Sequence, residues 1–435
     1  MAREMKDSGI EWIGEIPREW EVSKFKFETS GYKAGPFGSA LITAKLSNKG
    51  RILVYTPEHV ALKSDVTSNN LYLPEERRQE MSQFFVNSGD IVFPIVGTLG
   101  RSMKITSTMK EGIINQRLAK FRLTSAKVDE NYFLWLFSRS SFYEVYIDLY
   151  RRGSIIVNLT KEIVNNMPIP LPSLQEQQAI AEFLDTQCAH IDSVIEKTRA
   201  AIEEYKKLKQ AVITQAVTKG IRPNREMKDS GIEWIGEIPK AWNVQRIKTI
   251  FDLRDERNYL PLEEVNLISL YTDKGVVQHS DLEKTTGNKA SNADGYKIVY
   301  ENDIIVNIIL CWMGAIGRSS YQGVTSPAYD IYVSSNTIEC RFYHHYFRTK
   351  GFSGDCYKRG KGIMAMRWRT YSDQFRDIKV VVPPLKEQQE ILNYLDEKTA
   401  AIDSLIKKKE QLITELEAYK KSLIYEYVTG KKEVK

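Results

Sequence analysis

Two stretches of the chain carry apolar residues at helical spacing over about 45 positions each, longer than an ordinary packed helix. The first covers residues 172–219, and the second begins at Pro384 and closes with the sequence LIYEYVTGK. Each begins with a proline and ends near a glycine, Gly220 or Gly430, and these are typical start and stop residues. The pattern therefore predicts two long helices.

The apolar positions of both helices repeat with a period of seven, which favours a coiled coil. With Leu184 and Leu395 as a positions, the d positions are Ile180, Gln187, Val194, Ala201 and Leu208 in the first helix, and Ile391, Lys398, Leu405, Leu412 and Tyr419 in the second. The alternative is that each helix packs on its neighbouring globular segment. The pattern alone leaves both open.

The segments before the helices mix strand and helix patterns, which predicts an α+β fold. Residues 89–100 are apolar, β-branched and bounded by glycines, and predict a buried strand. Residues 112–123 alternate and predict one strand, whereas residues 131–146 carry aromatic residues at helical spacing and predict a core helix. Residues 302–320 match the first strand region, with Arg318 opposite Arg101.

The chain is an internal repeat. Residues 3–17 read REMKDSGIEWIGEIP, and residues 225–239 repeat this sequence without a change. We call these stretches the tags, and we call residues 21–171 and 243–383, which differ strongly, the variable segments. The long helices match again at a constant offset of 211 residues, as in the two EQQ triplets at Glu176 and Glu387.

A repeat of this length indicates two copies of one domain type, related by a pseudo-twofold axis that sets the long helices antiparallel as a coiled coil. The expected domains are residues 1–171 (first tag and variable segment), 172–221 (first helix), 222–383 (second tag and variable segment) and 384–431 (second helix). In the tags, the tryptophans are expected to pack against their own domain; base stacking is the alternative.

Charge is uneven along the chain. The net charge is +6, with a pI near 8.8, which alone is weak support for a polyanionic partner. Residues 341–379 hold ten Lys or Arg against three Asp or Glu, and residues 101–127 hold seven against one. The basic excess therefore lies in the variable segments, as nucleic-acid binding would require.

Several further sequence features restrict the location and the chemistry that this protein can have. No apolar run is long enough for a membrane span, and the N-terminus lacks a signal-peptide core, so a cytoplasmic location with no membrane partner is expected. The four cysteines are scattered, which predicts reduced thiols. No Walker A or (N/D)PP(Y/F) motif occurs, and the five histidines lack metal-site spacing. We therefore expect no catalytic residues and no metal.

The repeated plan resembles the specificity (S) subunit of Type I restriction-modification enzymes over essentially the whole chain. The residues that carry the resemblance are the two proline-led EQQ helix starts, the IDS triplets at Ile191 and Ile402, the ends AVTKG and YVTGK, and the tag sequence SGIEWIGEIP. Order, spacing and duplication all agree with that family.

The resemblance implies that each variable segment is a target recognition domain that reads one half of a bipartite site in double-stranded DNA. The two helices would set the gap between the halves, at roughly 70 Å for ~1.5 Å per residue. The subunit would recruit two methyltransferase (M) and two restriction (R) subunits. It would hold no cofactor itself: AdoMet would bind the M subunits, and ATP with Mg the R subunits.

Candidate DNA contacts are the polar and basic residues of the variable segments, since such side chains bind phosphates and base edges. They are Arg101, Gln116, Arg117, Lys120, Arg151, Arg152 and Asn158 in the first segment, and Arg318, Tyr329, Lys358, Arg359, Lys361, Arg367 and Arg369 in the second. Two other functions remain open: a self-contained methyltransferase or nuclease, and a coiled-coil scaffold that binds no DNA.

Overall fold

The chain divides into two units, each containing one tag, one variable segment and parts of both long helices. Unit 1 comprises Met1–Thr198 and Gln411–Lys435, and unit 2 comprises Arg199–Glu410. The computed structural model describes residues 3–36, 41, 46–97, 99–138, 141–150, 159–279, 292–335, 337–362 and 368–434. Within them, strands and helices mix in both units, in agreement with the α+β prediction.

Unit 1 begins with the tag hairpin and continues into the first variable segment. Its elements are β1 (Met5–Asp7), β2 (Glu15–Pro17), β3 (Glu21–Lys24), α1 (Phe25–Glu28), β4 (Thr29–Ala34), β5 (Ile52–Tyr55), α2 (Pro57–Leu62), β6 (Tyr72–Leu73), β7 (Ile91–Pro94), β8 (Met103–Lys104), β9 (Gly112–Ile114), β10 (Leu118–Leu123), α3 (Glu130–Ser138), α4 (Ser141–Asp148), α5 (Lys161–Asn165) and β11 (Pro168–Leu171), and the first long helix α6 (Leu174–Lys219) follows.

Two sheets organise the first variable segment. The larger is antiparallel with the order β4-β10-β7-β8, and the smaller has the order β6-β5-β9, in which β5 and β9 are parallel. Strand β7 is buried on both faces, as its continuous apolar sequence predicted. Phe93, Phe121, Phe133 and Phe137 pack under the larger sheet with ring centroids 4.9–5.7 Å apart, so aromatic residues form the centre of this core.

Unit 2 repeats the plan. Its elements are β12 (Met227–Asp229), β13 (Glu237–Pro239), β14 (Asn243–Arg246), β15 (Phe251–Arg254), β16 (Ile268–Tyr271), β17 (Gly275–Gln278), β18 (Lys297–Val299), β19 (Ile304–Asn307), β20 (Ile316–Arg318), β21 (Gly323–Thr325), β22 (Tyr329–Ser334), α7 (Cys340–Phe347), α8 (Lys350–Arg359), α9 (Ser372–Arg376) and β23 (Lys379–Val382), and the second long helix α10 (Leu385–Val428) follows. The sheet β15-β22-β19-β20 has the same antiparallel order as its counterpart in unit 1.

Two predicted elements are interrupted. Residues 112–123 form two strands, β9 and β10, because the chain turns at Gln116 and Arg117. Residues 131–146 form two helices, α3 and α4, rather than one. Alternation and helical spacing continue across both breaks, so the pattern did not reveal them.

The long helices occur where predicted, with 46 residues in α6 and 44 in α10. Gly220 and Gly430 follow them with φ of +76° and +70°, a left-handed conformation that favours glycine after a helix. Both helices pack through both ends, since Leu184 lies in one core with Leu423 and Val428, and Val217 lies in the other core with Ile391.

The heptad register of these helices needs correction. The predicted a positions Leu184, Ile191, Leu395 and Ile402 are buried. The d positions Ile180 and Ile391 are buried as well, but farther along α6 Cys188 and Ile195 are buried where Gln187 and Val194 were expected. In α10, the expected d residues Leu405, Leu412 and Tyr419 are 42%, 40% and 55% exposed. An apolar stripe on α10 is therefore not covered by this chain's described residues.

Candidate nucleic-acid interface

In each unit, one buried glutamine fixes the variable segment to the start of a long helix. Gln177 accepts a hydrogen bond from the Asp129 amide at 2.7 Å and donates to the carbonyls of Lys127 and Pro172 at 2.8 and 2.9 Å. Gln388 makes the matching set in unit 2. Because all these partners lie just before α3, α6, α7 or α10, the first glutamine of each EQQ triplet sets the position of the variable segment.

The glutamate of each triplet anchors a tag. Arg3 donates to the two carboxylate oxygens of Glu176 at 2.6 and 3.0 Å, and Trp20 Nε1 donates to the same carboxylate at 3.0 Å. Arg225 pairs with Glu387 in the same way. Burial raises the pKa of Glu387, but the hydrogen bond from Arg225 and the other hydrogen-bonding and charge interactions around it together outweigh burial, and the pKa lies below its usual value. The tags are thus structural clamps.

Each tag also holds the end of the other long helix. Lys431 donates to the carbonyl of Ile13 at 3.0 Å in unit 1, and Lys219 donates to that of Ile235 at 2.7 Å in unit 2. The tag tryptophan Trp12 is half-buried and lies 4.7 Å from Phe142, as expected, and Trp20 and Trp242, which follow the two tags, are fully buried.

In the first variable segment, Gln116 and Arg117 lie together in the exposed turn between β9 and β10. The Arg117 carbonyl accepts from the Ile95 amide at 2.8 Å, and a Cβ on Gly35 would lie 1.9 Å from the Asn115 carbonyl, so the turn is closely held. Two adjacent polar side chains on a fixed turn suit base-edge contacts.

Arg101 lies apart from this turn. It is exposed and lines a groove of about 640 Å³ with Lys63, Lys104, Asp192 and Lys420. Four of these five charged residues are cations, although Lys420 is paired with Asp192 and apolar side chains form much of the remaining lining. Phosphate is the ligand that the exposed cations favour.

Lys120 faces inward. Its ammonium donates to the Phe85 carbonyl and lies 3.8 Å from the Asp90 carboxylate, with only 14% of the side chain exposed. Burial lowers the pKa of Lys120, and the Asp90 charge opposes that shift. These internal partners make Lys120 the weakest of the predicted contacts. Arg151, Arg152, Asn158 and Arg367 lie outside the described residues.

In the second variable segment, four predicted cations come together at the end of α8. Lys358 and Arg359 close the helix, and Lys361 and Arg369 exchange backbone hydrogen bonds of 2.8 and 3.0 Å just beyond it. Lys358 lies 2.5 Å from Glu233, whose carboxylate partly neutralises the lysine charge. This cluster is a compact basic surface suited to phosphates.

Arg318 and Tyr329 lie at opposite ends of one sheet. Arg318 is opposite Ile304 and Tyr329 is opposite Asn307, at the two ends of β19. The Arg318 guanidinium donates to Asn302 at 2.6 Å. Burial raises the pKa of Tyr329, so its hydroxyl stays neutral. Because they lie at opposite ends of the strand, these two residues do not form one contact surface.

The strand register corrects the alignment of the two segments. Lys104 is opposite Ile91 in the first sheet, and Arg318 is opposite Ile304 in the second. Asp90 and Asp303, which precede these strands, each accept from a backbone amide three residues earlier, at 2.9 and 2.8 Å. Lys104, rather than Arg101, therefore occupies the position of Arg318.

The sequence did not reveal an aromatic stack beside the basic cluster. Tyr357 and Trp368 are stacked with centroids 4.9 Å apart, and Trp312 lies 5.5 Å from Tyr357. Tyr357 is 49% exposed. These residues share no periodicity, and only the fold brings them together, so no local signal could have identified them.

The described residues contain no metal-type cluster. They contain no group of three or more His, Cys, Asp or Glu that could hold a metal, and none of their helices is long and apolar enough to cross a bilayer. Adjacent His344 and His345 pack on α7, where burial lowers their pKa values to about 3 and about 4. Cys188, Cys311, Cys340 and Cys356 are buried free thiols.

A family model for the Type I restriction modification DNA specificity domain matches residues 37–204 and 239–415. The two matches cover most of the chain and follow its internal repeat. The chain belongs to the Type I restriction-modification DNA specificity family. As a specificity subunit it recognises DNA sequence and is not itself a catalyst, so the family agrees neither with a self-contained enzyme nor with a scaffold that binds no DNA.

Curated relatives and solved structures are similar to most or all of the chain. The Type I restriction enzyme MjaVIII specificity subunit of Methanocaldococcus jannaschii is 25% identical, covering 97% of this chain and 94% of the relative. The StySPI specificity subunit of Salmonella potsdam is 26% identical over 68% of this chain and 64% of its own. A chain from a structural study of type I R-M complex assembly has a TM-score of 0.68 at 14% identity, covering 96% of this chain and 99% of that one. The HsdS subunit from Thermoanaerobacter tengcongensis has a TM-score of 0.53 at 15% identity, covering 96% and 98%. The structural likeness supports the fold alone.

Proposed function

We propose that this specificity subunit reads a split DNA site, each variable segment recognising one half and the two long helices setting the gap. The domains are proposed as residues 1–171, 172–221, 222–383 and 384–431. In this division, the tags and EQQ triplets hold two different reading surfaces on one repeated framework. Diverged surfaces on a common fold suit the recognition of two different half-sites.

One repeated ion pair carries the proposal. In unit 1, Lys420 lies 2.6 Å from Asp192, and in unit 2, Lys209 lies 2.6 Å from Asp403. Asp403 is the repeat partner of Asp192, and Lys420 is that of Lys209, each at the offset of 211 residues. Exchange of repeat partners across a contact is the signature of an isologous pair. It supports an antiparallel coiled coil with a pseudo-twofold axis.

We propose that the uncovered stripe of α10 contributes to the seat of the M subunits. Leu405, Leu412 and Tyr419 are each at least 40% exposed and recur every seven residues. A periodic exposed apolar stripe is typical of a protein interface. Two M and two R subunits would join the complex in the cytoplasm, with AdoMet on M and ATP with Mg on R, and this chain would hold no cofactor.

The proposed DNA contacts remain the predicted residues of both variable segments. The turn at Gln116 and Arg117 is the best placed in the first, and the cluster of Lys358, Arg359, Lys361 and Arg369 in the second. Tyr357 is added because an exposed ring beside cations can stack on a base. Arg101, Arg318 and Tyr329 are proposed as outer contacts.

To test this function, the gene is expressed in a host that supplies matching M subunits, and the DNA methylation motif that it confers is determined. Gln116→Ala should relax one half of the motif, and Arg369→Ala should relax only the other half. If either single substitution changed both halves, the division between the two variable segments would be wrong.

A further inference from the structure

An open groove of about 620 Å³ lies within unit 2, outside the candidate DNA interface. One wall is the last turns of α6, including Thr214 and Thr218, the second is Trp234 of the tag, and the third is the start of α8 at Lys350 and Gly351. Binding pockets in proteins commonly measure about 300–1,000 Å³, so this groove can hold a large side chain and its neighbours.

The tag wall of the groove is firmly built. Trp234 Nε1 donates to Asp355 at 2.6 Å, which fixes the indole ring. Gly351 lies flat against that ring, since a Cβ there would come within 2.0 Å of a ring carbon. The aromatic surface is therefore preformed and does not depend on an occupant.

Unit 1 shows what fills the equivalent place. The repeat partner of Thr214 is Tyr425, at the offset of 211 residues, and the repeat partner of Trp234 is Trp12. Tyr425 is half-buried, and its hydroxyl donates to the Trp12 carbonyl at 2.9 Å. In unit 2 no described residue donates a hydrogen bond to the Trp234 carbonyl. A phenol ring with its hydroxyl on a tag carbonyl is the group that this framework accepts.

The rim of the groove is cationic. Lys206, Lys207, Lys219 and Lys350 line it, with Glu203 as the acidic residue among the lining side chains. Lys206 is paired with Glu203, Lys207 with Glu204 and Lys219 with tag carbonyls, whereas Lys350 is exposed. The remaining positive charge favours an acidic occupant.

We propose that this groove binds a tyrosine side chain of a partner protein, carried on an acidic segment, in the place that Tyr425 fills in unit 1. The tyrosine ring lies against Trp234, its hydroxyl donates to the Trp234 carbonyl, and flanking carboxylates face Lys207 and Lys350. The site occurs in one unit only, so the subunit carries one such docking point despite its repeat. The proposal does not depend on which DNA sequence is read.

The test uses the full chain and two acetylated, amidated peptides, Asp-Glu-Tyr-Glu-Asp and Asp-Glu-Ala-Glu-Asp, measured by isothermal titration calorimetry. The parent chain should bind one tyrosine peptide, and the alanine peptide at least tenfold more weakly. Thr214→Tyr, which copies the side chain of unit 1, should weaken binding of the tyrosine peptide at least tenfold. Lys350→Gln should weaken it severalfold and reduce its salt dependence.

The matched variant Tyr425→Thr should open the equivalent place in unit 1, but Glu417 and Ala418 stand there in the positions of Lys206 and Lys207, so the acidic peptide should still bind with a stoichiometry of one. Circular dichroism checks that both helix variants keep the parent helix content. Equal binding of the two peptides, or unchanged binding by the Thr214→Tyr chain, would overturn the proposal. Because Thr214→Tyr adds a ring to open space, its binding result decides the question even if Tyr425→Thr unfolds unit 1.

Discussion

At the scale of single residues, we expect the cations and the aromatic rings at the end of α8 to have separable effects on DNA binding. Arg359→Gln should reduce the slope of log affinity against log salt by about one, since one phosphate contact is lost. Tyr357→Leu should weaken binding about tenfold with the slope unchanged, because stacking releases no counterions. Filter binding of the complex with M subunits at several salt concentrations measures both effects.

The matched control for this pair is Lys386→Gln. Lys386 is an exposed lysine at the start of α10, away from the proposed contacts. Its substitution should change neither the affinity nor the slope. A change in slope for Tyr357→Leu would show that the ring acts by placing cations rather than by stacking.

Gln177 tests the junction between the variable segment and the helix. Gln177→Ala leaves the buried Pro172 carbonyl and the part-buried Asp129 amide without their partner, so the free energy of unfolding should fall by about 2–3 kcal/mol. Gln178, the next residue of the triplet, is exposed, and Gln178→Ala should change it by less than about 0.5 kcal/mol. Urea unfolding compares the two, and equal losses would contradict the assigned role of Gln177.

The histidine pair on α7 makes stability depend on pH. Burial lowers the pKa of His344 to about 3, whereas the unfolded ring titrates near pH 6.5. The folded state therefore resists protonation, and its stability is complete above about pH 6.5 and is lost as the pH falls towards the folded value. His344 keeps an exposed edge, so the loss between pH 7 and 5 should be at most about 2 kcal/mol.

His344→Asn removes the titrating group but keeps an acceptor for the Arg318 amide, which now bonds His344 Nδ1 at 3.1 Å. Unfolding measured at pH 7 and 5 should show a shallower pH dependence in this variant than in the parent chain. His190→Gln, at an exposed site on α6, should leave the dependence unchanged. An identical dependence in all three chains would contradict burial as the cause.

At the scale of elements, the sequence located the long helices well and their contact face less well. The a positions were right because residues such as Ile191 and Ile402 have no large apolar neighbour that could replace them. The d positions Ile180 and Ile391 are buried as well. The later d positions Val194, Leu405 and Leu412 were wrong because each precedes an isoleucine, so periodicity allowed either residue to face inward. Only the partner helix decides between them.

The strand break at Gln116 and Arg117 and the aromatic stack at Tyr357 were beyond prediction for a related reason. Both depend on contacts with distant segments, such as Gly35 against Asn115 and Trp368 against Tyr357. The basic clusters could be predicted because charge is visible in the sequence. Lys120 shows the limit of that signal, since charge alone does not reveal burial.

The length of the two long helices should set the gap between the half-sites, so lengthening both helices should widen that gap. Insertion of seven residues at Thr198 in α6 and seven at Glu410 in α10 keeps the heptad phase and adds about 10 Å to each helix. The tolerated gap between half-sites should widen by up to about three base pairs at ~3.4 Å each, with both half-sites unchanged. Binding to a series of sites with different gaps measures this.

The control for the insertion places seven residues in α6 alone. This chain should bind poorly to every gap, because the ion pairs at Asp192 and Asp403 cannot both form in one register. A change of half-site sequence in the doubly extended chain would contradict the division of work between helices and variable segments.

At the scale of the whole molecule, the shared framework explains why the tags and the starts of the long helices match between the two halves of the chain. The identical tags and EQQ triplets make the same clamp in both units, through Arg3 with Glu176 and Arg225 with Glu387. Because these contacts are local to the clamp, the variable segments are free to diverge. The framework therefore supports two recognition surfaces of different sequence.

The most direct test of the central claim is the methylome of a host that supplies matching M subunits, sequenced with and without this gene. The account predicts an adenine-methylated motif of two specific halves separated by a fixed unspecific gap, lost on deletion and restored by the intact gene. Loss of no motif, or loss of a single continuous one, would contradict a subunit that reads two half-sites across a helical spacer.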